Sequence, residues 1–195
     1  MKYIRLIIIF FIGAIIISLV GAVVMVLSGK NPAQIRNIAI LSPGEGVFQD
    51  TSLGISLRYP KEWEQHYVPP NIVLFSGKDG VSTMTLTVQK RKEEETLEEF
   101  SKKNSEEIKT SGTENHFSVE TQEISDMTID SHAAKRMRYH LRRDGKNIDG
   151  VQVWTVEKKM EYIITFAVPS EQFETAVQTF DNVLQSVRIS HVKSD

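Results

Sequence analysis

The sequence predicts an α+β domain, an antiparallel β-sheet sandwiched by helices, that follows one N-terminal transmembrane helix. Three observations predict this class. The first 28 of the 195 residues include 22 apolar ones, several later segments alternate apolar and polar side chains, and the chain ends in a strongly amphipathic helical pattern. A run of strands with one helix inside it and one after it is typical of a layered α+β domain.

The apolar N-terminal segment, Leu6 to Leu27, contains no charged residue. A helix of that length rises about 33 Å, enough to cross a hydrocarbon core about 30 Å thick. A cleaved signal peptide is the alternative, but its apolar region usually has only about 7 to 15 residues. We therefore predict a retained single-pass anchor in the cell membrane, with residues 1–5 in the cytoplasm and the C-terminal domain outside it. Small residues spaced four apart in the span would allow a weak homodimer: Ala14, Ser18 and Ala22.

Composition narrows the classes of function. The chain has no cysteine, which excludes a disulfide framework, a thiol nucleophile, a thiolate zinc site and a lipidated cysteine anchor. Outside the anchor the charge balance is mildly acidic, which argues against binding to nucleic acid. We interpret residues 28–46, with their prolines and glycines, as a linker, residues 47–190 as the domain and residues 191–195 as a tail.

The first strands are predicted from period-two alternation. Ile55, Leu57 and Tyr59 share one face of a strand that ends at Pro60, and a short apolar strand follows at residues 72–75. Residues 81–89 alternate apolar side chains with threonines. These segments predict an antiparallel meander with one polar face.

A helix is predicted next, because Thr96 and Glu99 have the spacing of a capping box. It should run from Leu97 to about Thr110 and end near Gly112. Its apolar face is thin, so we expect it to lie on the sheet without deep burial.

Four more strands are predicted, at residues 117–124, 133–143, 151–157 and 161–168. The last of them is apolar on both faces, as a central strand covered on both sides is. The final helix should begin after Ser170 as its N-cap, and its stripe of apolar residues runs from Phe173 to Val187.

This order of elements resembles the PsbP-like family, named after the extrinsic subunit of photosystem II. The resemblance covers about residues 47 to 190 and is carried by Tyr59-Pro60-Lys61-Glu62-Trp63, Leu97-Glu98-Glu99-Phe100, Tyr162-Ile163-Ile164-Thr165-Phe166 and the closing segment 180–189. It implies an antiparallel sheet sandwiched between helices and a noncatalytic role in binding a protein partner or as an accessory subunit. A photosystem-associated role is a minor alternative, because a spanning anchor replaces the lipid anchor or transit peptide of that branch.

Motifs for catalysis are absent from the sequence: it has no Gly-x-Ser-x-Gly elbow, His-Glu-x-x-His pair, phosphate loop, dinucleotide fingerprint or EF-hand loop. Asp126, Asp130 and His132 are close enough in sequence to suggest a metal site, but without a second histidine or a cysteine they are more typical of a polar turn between strands. We predict no enzyme activity, no metal and no cofactor.

The most informative polar feature is a basic stripe on one predicted strand, formed by Arg136, Arg138, His140 and Arg142. Because alternate residues of a strand share a face, these four side chains should point the same way. They are the candidate contact surface for an acidic protein partner, an anionic headgroup or a phosphorylated ligand. The alternative is a solvated face balanced by the acidic residues at 93–95, 98 and 99.

Two tryptophans, Trp63 and Trp154, are candidate pocket aromatics. If both lined one pocket, the domain would be a carrier or sensor of a small apolar or anionic ligand. Large aromatic residues are more often core residues in a domain of this size. The leading prediction is therefore an extracytoplasmic, noncatalytic domain that binds a protein partner or serves a membrane or envelope complex.

Overall fold

The computed structural model describes residues 44–68, 71–78, 82–91, 95–114, 117–143 and 145–190. The predicted transmembrane helix, its candidate dimer residues, nearly all of the linker and the tail lie outside these ranges. Among the residues inside them, no helix is both long enough and apolar enough to cross a membrane.

The described residues form eleven strands, two α-helices and one 3₁₀ turn. In chain order these are β1 (Glu45–Asp50), β2 (Ile55–Pro60), β3 (Glu64–Val68), β4 (Ile72–Ser76), β5 (Thr83–Lys90), α1 (Leu97–Glu114), β6 (Ser118–Thr121), β7 (Ser125–Ile129), β8 (His132–Arg143), β9 (Lys146–Glu157), β10 (Met160–Pro169), the turn Ser170–Gln172, α2 (Phe173–Ser186) and β11 (Arg188–Ile189). The α+β class predicted from the sequence is confirmed.

The main sheet has the strand order β3-β4-β5-β10-β9-β8-β6. Strand β7 also pairs with β8, along the N-terminal part of that strand, whereas β6 pairs with its C-terminal part. A second, three-stranded sheet has the order β1-β2-β11. Strand β10 lies at the centre of the main sheet, antiparallel to both β5 and β9, and residues 161–168 are all buried. The prediction of a central strand covered on both faces is thus confirmed.

The two faces of the main sheet carry separate hydrophobic clusters. One contains residues of α2, the small sheet and the main sheet, including Phe48, Phe75, Phe166 and Phe180. The other lies under α1 and includes Phe100, Ile108 and Trp154. We call these the α2 side and the α1 side of the sheet. Helices therefore cover both faces, as the predicted sandwich requires.

The start of α1 is the capping box that the sequence predicts. Glu99 N–H donates to Thr96 Oγ1 at 3.2 Å, and Thr96 N–H donates to Glu99 Oε2 at 2.9 Å. These hydrogen bonds, first the backbone and then the hydroxyl of Thr96, lower the pKa of Glu99. The helix is buried more deeply than we expected, because Phe100 and Ile108 are almost fully enclosed.

Several boundaries differ from the prediction. Strand β1 begins at Glu45, inside the predicted linker, and Asp126 belongs to β7, not to a turn. The turn before β8 consists of Asp130 and Ser131, which both have positive φ. Ser170 starts a 3₁₀ turn instead of capping α2, whose cap position is Gln172. Pro169, with a φ of −52°, directly precedes this turn.

Candidate functional site

The four residues of the predicted basic stripe lie on one face of β8, as alternation requires. They alternate with Met137, Tyr139 and Leu141, which belong to the cluster on the α1 side. The stripe therefore faces the α2 side. Lys135, which the sequence suggested as an extension of the stripe, points the opposite way and forms ion pairs with Asp126 of β7 and Glu98 of α1. The hydrogen bond to Asp126, followed by that to Glu98, raises the pKa of Lys135.

The first two arginines of the stripe are paired with acidic residues of α2. Arg136 Nη1 is 2.7 Å from Asp181 Oδ1, and Arg138 Nη1 is 3.0 Å from Glu174 Oε1. The guanidinium of Arg138 also lies over the Phe173 ring, 4.0 Å from its centroid, in a cation–π contact. The two arginine side chains are 28% and 34% exposed, so they are partly withdrawn from solvent.

The other two members of the stripe also have polar partners. Nδ1 of His140 is 3.3 Å from Asp149 Oδ1, and the same carboxylate is 3.8 Å from Arg138 Nε. Arg142 Nε donates to Asn147 Oδ1 at 3.2 Å. The charge of the stripe is thus largely neutralised. The acids that do so are Asp181, Glu174 and Asp149, not those expected at 95, 98 and 99. Of the acidic residues at 95, 98 and 99, Glu95 pairs with Lys103, Glu98 pairs with Lys135 and Glu99 caps α1.

A surface groove of about 240 Å³ lies between β8 and α2. Its floor and the α2 wall include Val151, Phe173 and Val177, and its rim carries Arg136, Arg138, Glu174 and Asp181. The remaining lining residues are Gln122 and Glu123, between β6 and β7, and Ser125, the first residue of β7. We call this site the β8–α2 groove.

Local structure explains why the groove is there. On α2, positions 173, 177 and 181 are spaced four apart and so lie on one side of the helix, above β8. On the sheet, residues 122–124 interrupt the edge formed by β6 and β7, although Gln122 N–H still donates to the Arg138 carbonyl at 2.9 Å. The interrupted edge and the helix therefore form opposite walls.

The two candidate pocket tryptophans lie on opposite faces of the sheet. Trp154 is fully buried in the cluster on the α1 side. Trp63 is half-buried and packs on the α2 side, where its ring stacks with Phe166 at a centroid distance of 6.4 Å. They cannot line one pocket, because the sheet separates them. The sequence pattern does not show this, because Trp63 lies in the turn between β2 and β3 and only the folded sheet decides which face it packs on.

The three residues considered for a metal site have other contacts. Asp126 pairs with Lys135, Asp130 Oδ2 accepts a hydrogen bond from Ile189 N–H at 2.7 Å, and His132 Nε2 is 3.0 Å from Glu157 Oε2. Asp130 and His132 thus join the turn before β8 to β11 and β9. Within the described ranges, no group of three or more metal-ligating side chains is placed to hold an ion.

One buried carboxyl group has the perturbed ionisation that is often found in enzymes. Burial raises the pKa of Glu161, while the hydrogen bond from Gln89 at 2.8 Å opposes that shift. The residue is only 2% exposed and lies on β10, away from the β8–α2 groove. It is therefore not accessible to a substrate in this conformation.

The groove residues on α2 are the functional candidates that the sequence analysis missed. The sequence pattern places Phe173 and Val177 only in the apolar stripe of the final helix. The signal was present: Glu174 and Asp181 are seven positions apart and so lie on the same side of the helix, flanking Val177.

Comparison with solved structures identifies the fold. The cyanobacterial PsbP, CyanoP, from Synechocystis sp. PCC 6803 matches with a TM-score of 0.66 and 14% identity, over 80% of this chain and 98% of that one. LpqN, involved in cell envelope biogenesis of Mycobacterium tuberculosis, matches with a TM-score of 0.51 and 12% identity, over 77% and 87%. The Saccharomyces cerevisiae Ran-binding protein Mog1p matches with a TM-score of 0.52 and 9% identity, over 76% and 96%.

These likenesses concern the fold, since all three identities are below 25%. No family model matches the sequence, and no curated protein sequence matches it. The chain therefore has a PsbP-like fold, as the sequence motifs predict.

Proposed function

We propose that this protein is a noncatalytic accessory protein of a membrane or envelope complex, in which a PsbP-like domain binds a protein partner through the β8–α2 groove. The observation that carries the proposal is the groove itself. It combines a half-buried apolar residue, Val177, with charged side chains of both signs. Apolar contact surrounded by a charged rim is the usual composition of a protein-binding surface.

The fold neighbours agree with this role. Mog1p is a Ran-binding protein, and LpqN is involved in cell envelope biogenesis. A carrier of a small ligand near Trp63 and Trp154 has no such support, because the sheet lies between the two side chains.

The proposal also includes location. The uncharged segment from Leu6 to Leu27 would anchor the chain as a single span, with its N-terminus in the cytoplasm and the domain outside. The absence of cysteine is compatible with an oxidising compartment.

Fusions of the full chain to a reporter that is active only outside the cytoplasm test this location. We expect activity when the reporter follows residue 195 and none when it precedes residue 1. Extraction with carbonate should leave the intact chain in the membrane fraction. The reverse reporter pattern, or release of the chain by carbonate, would exclude the proposed anchor and orientation.

Charge reversal at Glu174 tests the groove. The Glu174 side chain is 78% exposed, so Glu174→Arg should change thermal stability little while placing a like charge beside Arg138. We expect recovery of the crosslinked partner from native membranes to fall by about tenfold, which corresponds to about 1.4 kcal/mol of binding free energy.

Glu171→Arg is the matched control. The substitution makes the same change of charge, and Glu171 is exposed and does not line the groove. It should recover the partner as the unaltered protein does. Equal recovery by both variants would show that binding, if any, uses another surface.

A further inference from the structure

The charges that line the β8–α2 groove differ from those that the basic stripe alone suggests. Three carboxylates, of Glu123, Glu174 and Asp181, face two guanidiniums. The carboxylates are also the more exposed partners: the side chains of Glu174 and Asp181 are 78% and 40% exposed, against 34% and 28% for Arg138 and Arg136. An approaching partner therefore meets acidic groups first.

The arginines are engaged inside the domain. Asp181 and Glu174 each hold one of them, and Arg138 has two additional contacts, the Phe173 ring and the Asp149 carboxylate. An incoming carboxylate would have to displace one of these acids and would lie close to the others. Like charges brought together at an interface disfavour binding.

A cationic side chain of a partner, in contrast, can pair with the carboxylates of the groove. Glu174 can turn toward it, because Arg138 keeps both the stacking contact with Phe173 and the ion pair with Asp149. Asp181 and Glu123 add further negative charge along the rim. Between them, the half-buried Val177 offers an apolar contact.

From this arrangement we infer that the partner inserts a segment in which a lysine or arginine neighbours an apolar side chain. This inference rests on the proposed function of the groove and specifies its partner. The groove thus selects a basic and apolar protein segment, although the basic side chains of β8 alone would favour an acidic one. The acidic residues on α2 reverse the preference.

Site-specific photocrosslinking in the full chain tests the inference. A photoreactive phenylalanine derivative replaces Gln122, on the wall opposite α2, in cells that express the protein in its own membrane. The crosslinked peptide is then sequenced by mass spectrometry. We expect a segment with a lysine or arginine within two residues of an apolar residue.

Reversing the charge at residue 174, and then at the partner's basic residue, provides the second measurement. Glu174→Arg should lower the crosslink yield about tenfold, and replacement of the partner's basic residue by glutamate should restore most of it. Glu171→Arg should leave the yield unchanged.

The outcomes separate the two proposals. A crosslinked segment rich in aspartate or glutamate, or a yield that rises with Glu174→Arg, would overturn the inference and leave the groove as a partner site. The absence of any crosslinked protein from this position, together with unchanged partner recovery in the Glu174→Arg variant, would overturn both.

Discussion

Alanine in place of Gly150 is expected to destabilise the domain by about 3 kcal/mol or more, because it overpacks a site with no room to adjust. Gly150 pairs with Tyr139 on β8 and with Ala167 on β10. An added Cβ would lie 2.6 Å from the Phe166 backbone oxygen and closer still to the Tyr139 ring. The ring cannot swing away, since it is 1% exposed and its hydroxyl donates to the Phe166 carbonyl at 3.3 Å.

Gly145→Ala is the matched control. A Cβ at Gly145 meets no atom within 4 Å, so the substitution only strains a residue with a φ of +75°. That strain costs about 1–2 kcal/mol. Thermal unfolding of the two variants should therefore differ, with Gly150→Ala melting roughly 5 °C or more below Gly145→Ala for a domain of this size. Equal melting temperatures would contradict the close packing of Tyr139 on Gly150.

The elements that could be predicted from the sequence are those that carry their own signal. Strand β10 has two apolar faces, β8 alternates over its whole length, and Thr96 with Glu99 marks the start of α1. Each signal is local, because it depends on residues within one element.

The strands that were not predicted take their structure from their partners. Strand β3 contains polar residues at three of its five positions, and β11 has only two residues. Neither has an internal period, so pairing with β4 and β2 alone makes them strands. For β1, the glycines around it favoured a linker, and its pairing with β2 prevailed.

The candidate site also combines features that the local sequence sets with features that depend on contacts between distant elements. Alternation along β8 was enough to place Arg136, Arg138, His140 and Arg142 on one face. The acids that neutralise them were not predictable, because Asp181 is 45 positions from Arg136 along the chain. A strand surface acquires its net charge only when the opposing helix is known, and that is why the sequence suggested an acidic partner and the groove suggests a basic one.

The groove depends on the attachment of α2 to the sheet, and Phe180→Ala should weaken that attachment most. Phe180 is fully buried, and its ring stacks with Phe166 of β10 at a centroid distance of 5.1 Å and an interplanar angle of 8°. Truncation of such a phenylalanine costs about 3–5 kcal/mol through lost contacts and the cavity that remains. We expect that loss in denaturant unfolding of the full chain.

Hydrogen exchange would show where the loss acts. Because Phe180 is the buried aromatic residue in the middle of α2, amides of residues 173–186 should exchange faster than those of β9 and β10. Gln178→Ala, an exposed change on the same helix, should alter stability by no more than about 0.5 kcal/mol. Faster exchange spread evenly over the domain would mean that α2 unfolds only with the whole sheet. Selective exchange in α2 would mean that the helix wall of the groove can open while the sheet stays folded, which gives a partner segment a way in beside Val177.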